Sequence, residues 1–250
     1  MKATIHYNGE HYNIDLSKPK DISIPLRGEA SNVNAWGVDP PTIEPHSEGS
    51  FIGNVARGGS VNFNDISFNP HAHGTHTEGV GHITDEFYSI NQSMNQFFFL
   101  AKVISVVPEL RQDDWVISKH ILKVALKDEE IGVLVIRTQP NDRAKLTKQY
   151  TDTNPPYFTE EAMHFLVDSG VQHLLVDLPS VDKEKDDGAL QAHKIFWSFD
   201  GQLRKAATIT ELIYVPDAIE DGLYFLNLQM ASFENDASPS RPVLYDIEKK

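Results

Sequence analysis

The chain has 250 residues, 40% of them hydrophobic and 23% charged, and its 36 acidic against 22 basic side chains give a formal net charge of −14. Such a surface repels nucleic acid and anionic membranes, and no apolar run reaches the ~18 residues that a membrane span needs. Cysteine is absent, which removes disulfides, thiolate nucleophiles and thiolate metal ligands together, so any metal must be held by nitrogen and oxygen.

The first segment, MKATIHYNGEHYNIDL, alternates and carries charge in place of the apolar core of a signal peptide, so a cytoplasmic protein is expected. Within it, residues 3–7 and 11–16 read as a hairpin around Asn8-Gly9. A third alternating run spans residues 21–26. Residues 27–60, rich in Gly, Pro, Asn and Ser, form a long irregular loop that carries Trp36, either a packed anchor or a platform for a flat substrate. Residues 60–68 alternate as a strand, residues 100–107 read as a buried strand, and residues 114–127 as a partly helical stretch. The continuous apolar run at 132–137 fits a strand buried on both faces. Thr159 caps a helix that starts with Glu160 and Glu161 and ends at Gly170, and residues 173–178 form the next strand. Strand, helix and strand in that order predict a right-handed βαβ unit. Residues 192–197 begin a strand or helix, residues 208–214 and 223–229 are strands, and a last short strand covers residues 243–245. No linker or repeat divides the chain, so one domain over residues 1–250 is expected.

Chemistry concentrates in residues 69–84, NPHAHGTHTEGVGHIT, where His71, His73, His76, Glu78 and His82 crowd among glycines. Imidazole and carboxylate are the ligands that borderline divalent metals prefer. In an extended chain His76 and Glu78 share a face, and His82 has the same parity. A metal held there would make a nucleophile of bound water, with His82 placed to shuttle protons. Glu211 stands alone as a carboxylate in an apolar strand and needs a partner.

Gly74-Thr75-His76, Glu78 and His82 resemble the H-x-G-T-H-x-D-x-P-x-H motif of the cyclase family, whose best characterised members are bacterial kynurenine formamidases. DISIPL at 21–26, residues 175–182, Ala192-His193-Lys194, Thr210-Glu211-Leu212 and Ser238-Pro239-Ser240-Arg241-Pro242 resemble further family segments in the same order. The resemblance implies an α/β fold of the swivelling β/β/α type with mixed sheets. It also implies one or two divalent ions, zinc first and manganese second, held by His76, Glu78, His193 and Glu211, with His82 as the acid/base residue. The implied substrate is a small molecule, N-formylkynurenine of tryptophan breakdown. A cyclic amide or lactone such as isatin, or a metal-free binding role, is the alternative, and the implied assembly is a homo-oligomeric dimer or tetramer. Two departures stand out. Glu78 replaces the family's aspartate, and Ala72 occupies the place of the first histidine. His71 or His73 could reach that place through a one-residue bulge near Gly74, and His71, which follows Pro70, is preferred.

Overall fold

The computed structural model describes residues 1–127 and 131–250. Strands β1 (Lys2–Tyr7) and β2 (Glu10–Asp15) form the hairpin that Asn8-Gly9 predicts. Asn8 and Gly9 have φ of 47° and 78°, the left-handed pair that matches turn twist to strand twist. Then come β3 (His76–Glu78), β4 (Phe98–Val106), β5 (Val133–Thr138), β6 (His173–Val176), β7 (Thr208–Glu211), β8 (Gly222–Met230) and β9 (Ala237–Lys249). These seven close into a ring in the order β9, β8, β4, β5, β6, β7, β3 and back to β9. Strands β4 to β7 run parallel to one another, whereas β3, β8 and β9 pair antiparallel, so the fold is α/β with a mixed sheet, as expected. The far end of β9 leaves the ring to pair with β2.

Helices α1 (Lys119–Leu126), α2 (Glu160–Asp168) and α3 (Gln191–Phe196) cover the parallel strands. Leu122, Met163, Leu166 and Phe196 pack there against Ile104, Ile136, Leu174 and Ile209. The opposite faces of these strands send Val103, Val135 and Leu175 to meet Leu226, Leu228 and Leu244. Burial on both faces is why residues 132–137 read as one apolar run. Strands β5 and β6 are parallel neighbours joined through α2, the expected βαβ unit, and the Thr159 hydroxyl accepts from the Ala162 N–H to cap the helix.

Several elements differ from the sequence reading. The run at 21–26 gives only the strand Lys20–Asp21, continued by a single bridge from Ser23 to Ile213. The loop at 27–60 contains short strands: Thr42–Pro45 pairs with Asn64–Ser67, and Ser47–Glu48 with Phe51–Ile52. The alternation at 60–68 therefore belongs to an exposed arm and not to the core, because no layer covers either side of it. The last strand covers thirteen residues; Pro239 and Pro242 masked its first half in the sequence, but pairing with β3 and β8 holds it extended. No helix among the described residues is long and apolar enough to cross a membrane.

Buried His173 on β6 shares a hydrogen bond with the Thr208 hydroxyl at 2.9 Å. Burial, helped by the charge of Arg204, pushes its pKa down to about 4. A base whose folded pKa lies below its unfolded value stabilises the fold above the unfolded pKa and loses that contribution as pH falls through the interval. Wild type is expected to lose about 2 kcal/mol more stability than His173→Gln between pH 7 and pH 5 in urea unfolding. Equal losses would show that His173 is protonated without cost in the fold.

Candidate functional site

Strand β3 lies between β7 and the start of β9, with Glu211 opposite His76 and with Ile209 and Ala237 opposite Glu78. Alternation sends Thr77 and Thr210 to one face, where their hydroxyls meet at 2.8 Å. His76, Glu78 and Glu211 take the other face, which looks toward α3 and His193.

Each side chain is fixed from behind. The His76 Nδ1–H donates to the Gly74 carbonyl at 3.0 Å, which leaves Nε2 as a bare acceptor. That Nε2 is fully buried, lies 3.5 Å from Glu211 Oε2 and makes no hydrogen bond. The His193 Nδ1–H donates to Asp182 Oδ2 at 2.6 Å, and its Nε2 lies 3.1 Å from Glu78 Oε1 and 3.9 Å from Glu211 Oε1. Glu211 Oε1 accepts the Val181 N–H at 3.1 Å. Glu78 Oε2 faces His71 Nδ1 at 3.1 Å and His82 Nε2 at 3.8 Å, yet it is buried without a hydrogen bond.

The turn before β3 decides between His71 and His73. The Asn69 side chain accepts the His71 N–H, and the Asn69 carbonyl accepts those of Ala72 and His73. This tight turn, and not a bulged strand, carries the His71 ring over the centre. His73 turns away: its Nδ1 accepts the Asn69 N–H at 2.8 Å, and it lines a separate groove with Ile24 and Arg241. His82 also arrives by another route than strand parity. The chain leaves β3 at Glu78 and coils into a 3-10 turn, Val80–His82, which stacks the His82 ring on His71 at 4.3 Å between centroids. Trp36, 40% exposed, donates its indole N–H to the His71 carbonyl at 3.3 Å and lines a small depression with Ala35, Tyr150, Pro155, Pro179 and Glu184.

Two carboxylates join the set. Asp182 accepts the N–H groups of Ala192 and His193 as well as the His193 ring, so it caps α3 and orients His193 at once. Asp236, which no sequence pattern marks, lies 2.8 Å from His71 Nε2 and 3.3 Å from His82 Nδ1. It comes from the residue before β9, beside Gly79, whose N–H donates to the Asp236 carbonyl. Asp177, by contrast, serves the scaffold, paired with Lys145 at 2.8 Å and accepting the Thr138 N–H. Arg241 pairs with Asp21 at 2.7 Å on the surface.

Charge balance in this pocket is tight. Burial works against the His71 imidazolium, but the carboxylates of Asp236 and Glu78 override it and raise its pKa to about 10. His193 is likewise raised against burial by Asp182 and Glu78. Burial alone would raise Glu78, but the surrounding imidazoles, His82 foremost, hold it well below the usual carboxylate range. Glu211, pushed by burial and by the charge of Glu78, is raised. Among the described residues three triads each bring their ligand atoms within 4.8 Å of one another: His71 with His76 and Glu78, Glu78 with His82 and His193, and His71 with His82 and Asp236.

Comparison with known proteins adds to this geometry. The model of the Cyclase family, described as "Putative cyclase", matches residues 14–183. A kynurenine formamidase from Bacillus cytotoxicus is 27% identical over 226 residues, covering 90% of this chain and 95% of the relative. Among solved structures, a "Potential Metal-Dependent Hydrolase With Cyclase Activity" superposes with a TM-score of 0.67 at 17% identity, over 92% of this chain and 98% of the other. An isatin hydrolase bound to the product analogue thioisatinate gives 0.63 at 17% identity, over 92% and 93%.

Proposed function

The chain belongs to the Cyclase family, and on that premise we propose that it is a divalent-metal-dependent amide hydrolase acting on a small aryl formamide, N-formylkynurenine before others. The observation that carries this reading is the buried Nε2 of His76, which makes no hydrogen bond and belongs with His71 and Glu78 to a set of ligand atoms all within 4.8 Å of one another. An unsatisfied buried polar atom costs about 1–3 kcal/mol, and a cation accepted by that nitrogen would remove the cost. The near full-length similarity to a kynurenine formamidase supports the substrate class.

His71, His76, Glu78, His193 and Glu211 would hold one ion or two. The two oxygens of Glu78 face different imidazoles, Oε2 toward His71 and Oε1 toward His193. An imidazole and carboxylate set without thiolate suits zinc first and manganese second. When bound, the ion supplies Lewis acidity that brings the pKa of water toward neutrality. His82 then does the proton work. Its Nδ1–H rests on Asp236, and its free Nε2 accepts the proton of the water that attacks the formyl carbon. The C–N bond breaks, His82 returns the proton to the departing aryl amine, and formic acid is the second product.

Purified protein tests this reading by its metal content and by optical assay of N-formylkynurenine. Stoichiometric divalent ion and a kcat at least ~10²-fold above that of His82→Ala are expected. Protein that neither retains nor takes up a divalent ion, or turns over no faster than His82→Ala, overturns it. Turnover of isatin without N-formylkynurenine would move the substrate class to cyclic amides. Trp36 would supply a wall for the substrate ring, and Trp36→Ala is expected to raise KM up to about tenfold with kcat little changed. An unchanged KM removes Trp36 from the binding site.

A further inference from the structure

His71 and His82 are stacked rings suspended between the same two carboxylate oxygens. On the inner side, Glu78 Oε2 faces His71 Nδ1 at 3.1 Å and His82 Nε2 at 3.8 Å. On the outer side, Asp236 Oδ2 faces His71 Nε2 at 2.8 Å and His82 Nδ1 at 3.3 Å. The two rings thus use opposite nitrogens toward the centre. We propose that Asp236 is a positioning residue that fixes the tautomers of both rings, presenting His71 Nδ1 as a metal ligand and His82 Nε2 as the proton carrier. This inference rests on the hydrolase reading above.

The chemistry follows from what each ring must do. A metal-binding imidazole is neutral and carries its one proton on the other nitrogen, which needs an acceptor. For His71 that acceptor is Asp236. A neutral acid/base imidazole needs its free lone pair aimed at the reacting proton and its N–H held elsewhere. For His82 that anchor is the same oxygen. One carboxylate, 24% exposed in its side chain, therefore ties the ligand place that Ala72 leaves empty to the residue that moves the proton. Asp236 can do this because β9 pairs with β3, which sets its backbone carbonyl on the Gly79 N–H between Glu78 and the turn that carries His82.

Asp236→Asn and Asp236→Glu test the inference, with zinc titrated into metal-free protein against a chromophoric chelator and N-formylkynurenine turnover measured at saturating zinc. For Asp236→Asn we expect a zinc dissociation constant about 10–100-fold weaker at unchanged stoichiometry. At saturating zinc, kcat should stay at least tenfold below wild type with KM within threefold, far-UV circular dichroism should match, and Asp236→Glu should recover part of both losses. A purely structural role would not depress kcat alone at full occupancy. Zinc affinity and kcat within threefold of wild type overturn the inference, and one fewer ion per chain at saturation replaces positioning by direct ligation. Wild-type protein that binds no zinc fails at the hydrolase reading itself, whereas zinc-binding, active wild type with an unaffected Asp236→Asn fails only here.

Discussion

Glu78→Ala is expected to leave the protein with little bound divalent ion and to lower kcat/KM by ~10³-fold or more, a loss of about 4 kcal/mol in transition-state stabilisation. Among the described residues Glu78 is the side chain that meets His71, His82 and His193 together, and it belongs to two of the three ligand triads found there. Its carboxylate is fully buried and held ionised by those imidazoles. Removing it takes away a carboxylate whose two oxygens face different imidazoles and leaves His71, His82 and His193 without the charge they share. Glu78→Asp separates reach from charge. It restores the family's residue but withdraws the carboxylate by about 1.5 Å, one C–C bond. Because β3 fixes the backbone on both sides, the strand cannot move to follow, and an intermediate affinity is expected. Metal analysis after dialysis and steady-state kinetics decide the matter. Full ion content in Glu78→Ala would remove Glu78 from the ligand set.

The second large effect is the pH dependence of ion uptake. In the metal-free protein the pKa of His71 is raised to about 10, so that ring is imidazolium at neutral pH, and that of His193 is raised in the same direction. A cation that takes their ligand nitrogens must displace those protons. Each displaced proton makes affinity rise tenfold per pH unit, as long as pH stays below the metal-free pKa. Affinity is therefore expected to rise at least about tenfold from pH 6 to pH 7 and again from pH 7 to pH 8. Calorimetry in buffers of different ionisation enthalpy should count at least one proton released per ion. An affinity flat over this interval, with no proton released, would show that the ion does not replace protons on these histidines.

The sequence by itself determined what local pattern can encode. Asn8-Gly9 specifies a hairpin because only that backbone conformation matches strand twist. The apolar run at 132–137 and the capped helix after Thr159 specify a βαβ unit because parallel strands are buried on both faces. The crowding of histidines at 71–82 located half of the candidate site, and Glu211, a carboxylate in an apolar strand, pointed to another part of it. Tertiary structure decided the rest. Strand parity gave His71 and His73 equal standing, and only the turn built on Asn69 separates them. His82 reaches the centre through a 3-10 turn, so its matching parity was no guide to its route. Asp236 carries no local signal at all, since its place is set by the pairing of β9 with β3 across more than 150 residues of chain. Local pattern fixes which residues face together within one element. Which elements then meet depends on long-range register, and that is decided by the closure of the sheet.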